Sequence, residues 1–250
     1  MDSISDHQSG SKPLITGQTY WDKINEARWG QYLSALEERV MQHALGSASG
    51  PGTSVDIGCG SGRWSAMAAK AGWRTICMDV DPKILSVCEQ NVPNADCYLL
   101  DPKWTTLPLP AGSAQAAFCV EVFTIMGQER LDREVDRVLA PGGLFVGVFG
   151  NLLSWRGLLA QLALKGPKQR TYYPKSYGVW RRDMQARGFE YLYEEGYGWA
   201  PFSRASDSPL IPLSTQLEQH LGLRRWTTLS PWVIFIARKP RPPAEPLSDR

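Results

Sequence analysis

The chain is short of histidine, of paired cysteines and of long apolar runs, and each shortage removes a class of function. Only three of its 250 residues are histidine, too few for an imidazole-rich metal site. His7 lies in the N-terminal tail and His43 closes the first helical segment, which leaves His220 as the one imidazole placed to serve a pocket. The five cysteines, Cys59, Cys77, Cys88, Cys97 and Cys119, include no C-x-x-C pair and read as reduced core thiols. No apolar stretch approaches the roughly 20 residues that cross a bilayer. Met1 to Gly17 is polar, without the charged start and apolar core of a secretory leader, so a cytoplasmic location is expected. A net charge of +2, with no basic stripe interleaved with aromatics, disfavours a nucleic-acid partner.

What the chain does have is one informative turn. Residues 55–62 read Val-Asp-Ile-Gly-Cys-Gly-Ser-Gly, a strand end running into glycines, with Asp56 two residues before the first. Gly58, Gly60 and Gly62 allow a sharp turn and close approach of backbone to a ligand, and Arg63 to Ala71 has the composition of a helix opening there. A dinucleotide loop is spaced G-x-G-x-x-G. Here the third glycine comes one residue early, and Asp56 would sit badly beside a pyrophosphate. A turn edged with carboxylates suits a cationic nucleoside instead, and S-adenosylmethionine (SAM) carries a sulfonium, an ammonium, a ribose and an adenine.

The next acids fit that ligand. Asp79 ends the segment Arg74-Thr-Ile-Cys-Met-Asp, 23 residues beyond Asp56, where a carboxylate can accept both ribose hydroxyls. Asp81 competes for this role, although Asp81-Pro82 also makes a good N-cap with proline at the first helical position. Asp101 follows the run Cys97-Tyr98-Leu99-Leu100 and is placed to accept the adenine amino group.

In chain order, VDIGCGSG (55–62), MDVDPKIL (78–85), LLDPKWTTLPLP (99–110), CVEVFTIM (119–126) and REVDRVLAPGGLFVGVF (133–149) resemble the successive motifs of the class I SAM-dependent methyltransferases. The closest likeness is to the small-molecule, methyltransferase type 11 group that includes the quinone-biosynthesis enzymes. The resemblance spans Thr53 to Phe149. It implies an α/β, Rossmann-like doubly wound fold, with a mostly parallel seven-stranded sheet, an antiparallel last strand and a helical lid. It also implies SAM as cofactor, S-adenosylhomocysteine as product, and cofactor contacts from Asp56, Gly58, Cys59, Gly60, Gly62, Asp79, Val80, Asp101, Pro102 and Glu121. Glu121 would lie near the methionine end; its plainer alternative is a strand-end carboxylate bonded to neighbouring backbone. Two departures stand out. Where many relatives have Phe-Asp before strand four, this chain has Ala114-Gln115, which implies a lost polar contact at the sheet edge. Where the quinone-type enzymes read Glu-Val-Leu-Glu-His, it reads Glu121-Val122-Phe123-Thr124-Ile125, so neither a catalytic metal nor a histidine base is expected there, and no metal is expected elsewhere in the chain.

Strand-like and helix-like segments alternate from 53 to 149, the pattern of a parallel sheet covered on both faces. One domain is expected over 15–238, between polar or proline-rich tails, 1–14 and 239–250, that read as mobile. It starts with a helix over 20–46, whose Trp29, Tyr32, Leu33, Leu36 and Val40 fall at helical spacing; packing is favoured over cofactor contact for Tyr20 and Trp21. Beyond the nucleotide-binding core (53–149), the lid and substrate elements occupy 151–230. They comprise a leucine-rich lid from Asn151 to Lys165, a helix from Pro174 to Arg187 closed by Gly188, a strand from Phe189 to Glu194, and an aromatic, proline-rich insertion; 231–237 gives the last strand.

Methyl transfer from a sulfonium is an in-line displacement that needs alignment and exclusion of water, and a base only for some acceptors. Phe123, Trp155, Tyr172, Tyr173 and Trp199 are assigned to the acceptor side; His220, Tyr172 and Tyr173 are candidates for a base that stays unassigned. Residues 151–250 carry a net +7 against −5 for the first 150. This asymmetry reads as a solvated surface, as peripheral contact of the basic leucine-rich lid with an anionic membrane, or as an acidic substrate. The expected activity is SAM-dependent methylation of O, N or C on a small, partly apolar molecule. The alternatives are a catalytically silent scaffold, or a methyltransferase acting on lipid, protein or RNA.

Overall fold

The computed structural model describes residues 19–162 and 171–241. The expected tail 1–14, residues 242–250 of the expected tail 239–250, and the end of the expected lid at 163–165 lie outside the described residues. Lys239, from the C-terminal tail expected to be mobile, is instead tied down by donating to the Asp136 and Leu139 carbonyls.

Seven strands form one sheet in the order β3–β2–β1–β4–β5–β7–β6. They are β1 (Thr53–Ile57), β2 (Arg74–Asp79), β3 (Asp96–Leu99), β4 (Ala114–Cys119), β5 (Leu139–Gly150), β6 (Glu190–Tyr197) and β7 (Trp232–Arg238). β7 runs antiparallel to both its neighbours, β5 and β6, and the other pairings are parallel. Helices α1 (Tyr20–Ile24), α2 (Arg28–Ser47), α3 (Arg63–Lys70), α4 (Pro82–Asn91), α5 (Glu129–Val138), α6 (Trp155–Gln161), α7 (Tyr177–Ala186) and α8 (Ile211–His220) complete the described chain.

The strands are apolar on successive residues because both faces are covered. On one face Phe145 and Phe235 pack with Leu131 and Val135 of α5 and with Trp180 and Met184 of α7. On the other, Phe118, Val146 and Ile234 pack with Trp29, Leu33 and Met41 of α2 and with Trp64 and Ala68 of α3. The expected doubly wound sheet with its antiparallel last strand is therefore the observed one.

Local expectations change in several places. The strand expected over Phe189 to Glu194 is β6, which runs on to Tyr197. The lid helix expected from Asn151 opens only at Trp155, where the Ser154 hydroxyl caps it by accepting from the Gly157 amide. The single N-terminal helix over 20–46 is two helices, α1 and α2, broken at 25–27. The break lets α1 fold back against α2 at Gly30, where a Cβ would lie 2.5 Å from the Ile24 carbonyl oxygen. The Arg28 amide then donates to Asp207 Oδ1 (2.9 Å) and the Trp29 amide to the Ser206 carbonyl (3.1 Å), docking the 198–210 segment onto the break. Gln115 supplies the sheet-edge contact thought lost: its Oε1 accepts from the Thr53 amide at 2.7 Å, tying the starts of β1 and β4. Finally, α7 begins at Tyr177, three residues later than expected, because the Ser176 hydroxyl accepts from the Val179 amide as its N-cap.

Asn151, at the end of β5, fastens the lid region. Its Nδ2 donates to the Thr228 (2.9 Å) and Ser230 (3.1 Å) carbonyls, and its Oδ1 accepts from the amides of Leu153 (3.2 Å) and Tyr177 (3.0 Å). The residue is fully buried, so removing the amide strands several buried backbone groups. Asn151→Ala should cost about 1–3 kcal/mol in urea unfolding, the penalty for leaving buried polar groups unpaired; a loss within experimental error would show that the segments hold without it.

Candidate functional site

β1, β2, β3 and β4 run in the same direction, and the strand order reverses between β1 and β4, which places a crevice beyond their carboxyl ends. The glycine turn leaves β1 there. Gly58, Gly60 and Gly62 have φ of +77°, +57° and +85°, values that an L side chain resists. A Cβ on Gly58 would lie 2.5 Å from Val122 Cγ2, and one on Gly62 2.8 Å from Cys88 Sγ; one on Gly60 would meet nothing within 4 Å. Gly60 is thus the open face of the loop.

Asp79 holds that loop. Its Oδ2 accepts from the Gly60 amide (3.1 Å), and its Oδ1 accepts from the amides of Val80 (2.7 Å) and Asp81 (3.0 Å). Asp81 accepts from the Lys83 amide at 2.9 Å as the N-cap of α4, with Pro82 next, so the two competing acids have separate tasks. Val80 is exposed beside them, and Asp101 and Pro102 are exposed past β3, where Asp101 Oδ1 accepts from the Lys103 amide (2.7 Å).

Two expected cofactor contacts point elsewhere. Asp56 is buried beneath the loop, where its Oδ2 accepts from the Ser65 hydroxyl at 2.8 Å and joins β1 to α3. Burial pushes its carboxyl up to about 7, so it is a poor source of the negative charge expected to draw in a cation. Cys59 has its thiol turned into a buried cluster with Cys77 and Cys88 and offers a ligand only its backbone.

Glu121 follows β4 with φ of +63°, the one positive value at a non-glycine residue among the described residues. Such strain in a side chain-bearing residue persists where the surroundings over-determine it, as at functional sites. Its partner is the Arg204 guanidinium, through Nη1, rather than neighbouring backbone. Arg204 Nε donates to Asn25 Oδ1 (2.9 Å), while Nη2 is buried with no hydrogen-bond partner among the described residues. Close by, buried Glu37 accepts from Arg63 Nη2 (2.8 Å) and from the Tyr197 hydroxyl (3.1 Å). Asp22 of α1 accepts from the Ser61 hydroxyl (2.7 Å), so the N-terminal helices roof the glycine loop.

The expected acceptor residues fall into linked groups. The Phe123 ring lies 5.8 Å from Tyr172 and 5.6 Å from Trp232, and Tyr173 is buried. Trp155 Nε1 donates to the Trp199 carbonyl (3.0 Å). Arg156 connects the groups, its guanidinium lying over the rings of Trp155 (4.6 Å) and Trp232 (5.6 Å) and donating to the carbonyls of Ala200 and Phe202. His220 is not among them; it is exposed in the last turn of α8. Sequence reasoning missed Arg204, Glu37, Arg63, Asp22 and Arg156. None sits in a recognisable motif, and only their partners distinguish them from surface charges.

Residues 55–147 match the family model for a methyltransferase domain, and the chain has the class I SAM-dependent methyltransferase fold. Among solved structures it is similar to a [4+2]-cyclase, SpnF, at 20% identity over 87% of this chain and 84% of that one, with a TM-score of 0.60. A geranyl diphosphate C-methyltransferase from Streptomyces coelicolor A3(2) shares 19% identity over 88% and 82% of the two chains, with a TM-score of 0.61. A SAM-dependent methyltransferase from Mesorhizobium loti shares 18% over 81% and 97%, with a TM-score of 0.58. No curated protein sequence matches the chain.

Burial and the nearby Glu121 push the Glu37 carboxyl from 4.5 up to about 8. The folded state therefore holds this proton more tightly than the unfolded chain. The stabilisation is complete below about pH 4.5 and is lost as pH rises toward 8. The melting temperature should fall across that window, and Glu37→Gln should flatten the fall; equal slopes would show that Glu37 stays charged throughout.

Proposed function

We propose that the protein is a SAM-dependent methyltransferase acting on a small, partly apolar acceptor. The observation that carries this reading is Glu121. It sits in a strained conformation beside the glycine turn, which Val122 touches at Gly58, and pairs with an arginine that keeps one buried nitrogen unpartnered. An amino-acid moiety suits that pair: its carboxylate satisfies Arg204 Nη2 and its ammonium is attracted to Glu121. The ribose belongs at Asp79, whose oxygens retain lone pairs beside the three amides, and the adenine against Val80 and Asp101. When bound, SAM supplies an electrophilic methyl group. The chain's own part is to orient the acceptor against Phe123 and Tyr172, to exclude water with α1 and the 198–210 segment, and to hold the pair in line. Tyr172, partly exposed, is better placed than exposed His220 to orient an acceptor oxygen.

The neighbours described as methyltransferases, one of them for geranyl diphosphate, support a small-molecule acceptor with apolar character. A second reading is favoured by the similarity to a [4+2]-cyclase: the same fold housing a chemistry other than methyl transfer, or a silent scaffold. We further propose peripheral contact with an anionic membrane. Leu213 and Leu217 on α8, with Leu210 and Leu221 at its two ends, form a stripe, each more than half exposed, with exposed Arg225 just beyond.

Calorimetric titration should show binding of both SAM and S-adenosylhomocysteine, and Asp79→Ala should weaken both by about tenfold or more, the equivalent of losing a charged hydrogen bond. Binding of neither ligand would favour the scaffold; binding of both with no transfer to any acceptor screened would favour the other chemistry. Vesicles containing phosphatidylserine should sediment the wild-type chain and release a Leu213→Asp, Leu217→Asp variant. Equal sedimentation of the two would remove α8 from membrane contact.

A further inference from the structure

Four of the five cysteines meet in one place although they come from four segments. Cys59 lies in the glycine turn, Cys77 on β2, Cys88 on α4 and Cys97 on β3. The Sγ atoms of Cys59, Cys77 and Cys88 all lie within 4.8 Å of one another, and all three residues are buried. Cys97 is paired in register with Cys77 and packs against the same cluster. The fifth, Cys119, belongs to the core on the opposite face of the sheet. All are free thiols.

The spacing is close to that of a thiolate metal centre. With zinc–sulfur bonds of about 2.3 Å in a tetrahedron, sulfurs stand about 3.8 Å apart, so the three thiols need contract by no more than about 1 Å. The surroundings suit a closed structural site. Leu85, Val92, Ala66, Ala69 and Ala95 enclose the sulfurs, and the Ser65 hydroxyl lies 3.1 Å from Cys77 Sγ, the kind of outer contact that orients a ligand. Among the described residues no carboxylate joins the three sulfurs, which favours a thiophilic cation over magnesium or calcium.

We propose that Cys59, Cys77 and Cys88, with Cys97 as the fourth ligand, form a structural zinc site. The thiol protons pass to solvent as the ion binds. Because Cys59 stands between Gly58 and Gly60, the ion fastens the glycine turn to β2, β3 and α4, adding a second tie to the one Asp79 makes. This site is separate from the Glu121 region and does not depend on methyl transfer.

The test is anaerobic titration of the reduced, chelator-stripped full-length chain with cobalt(II), followed by zinc(II). One equivalent of cobalt should give sulfur-to-metal charge-transfer absorption and the intense visible bands of a tetrahedral ion, and one equivalent of zinc should bleach both. Cys88→Ala should weaken zinc binding by about 100-fold or more, since a ligand loss exceeds the loss of an outer-shell partner. Cys119→Ala should leave it unchanged, with circular dichroism showing both variants folded. Cys97→Ala should lower the sulfur-to-cobalt charge-transfer intensity by about a quarter, one thiolate of four, and an unchanged intensity would remove Cys97 from the ligand set. Absence of thiolate charge transfer, an unaltered affinity in Cys88→Ala, or uptake of a disulfide on mild oxidation without any metal binding would each overturn the proposal.

Discussion

The structure around the site depends on the Asp79 carboxylate and the three backbone amides it holds. Gly60 belongs to the turn after β1, whereas Val80 and Asp81 belong to the turn after β2. A single side chain thereby fixes the relative position of the loops after β1 and β2. Charge-assisted bonds of this kind are stronger than neutral ones, and an acceptor with two oxygens can serve both loops without leaving either amide unpaired. The glycines allow the turn to form; the carboxylate decides where it stands.

Above this tie the chain builds a roof from distant segments. Asp22 bonds Ser61, Arg63 bonds Glu37, and Arg204 bonds both Glu121 and Asn25. Glu37, Glu121 and Arg204 are largely buried, so each is stable only through its partners, and the arrangement specifies how the N-terminal helices and the 198–210 segment sit rather than adding much net stability. The break between α1 and α2 has the same origin, since it exposes the Arg28 and Trp29 amides to the docking segment. A continuous helix would have used those amides internally.

Much of the fold was legible in the chain. β2 falls where the apolar segment Arg74 to Asp79 was expected, Asp81 caps α4 ahead of Pro82, and β7 occupies the apolar run beginning at Trp232. These features rest on local pattern. The motif has an acid where Gln115 stands, but the Gln115 side-chain oxygen accepts from the Thr53 amide and keeps the sheet-edge contact. Adjacency to the glycines suggests that Asp56 faces a ligand; the strand's alternation turns it under α3 instead.

The sequence by itself determined the order of strands and helices, the glycine turn and the acids at the strand ends, because each is encoded within a few neighbouring residues. Only the tertiary structure decided that Arg204 meets Glu121, that Asn151 fastens the lid region, and that Cys59, Cys77, Cys88 and Cys97 converge. Those pairings join positions far apart in the chain, some of them about 80 residues, and they arise when the sheet closes its register and the helices settle on its faces. No local spacing records such a meeting, since it depends on the path of everything between.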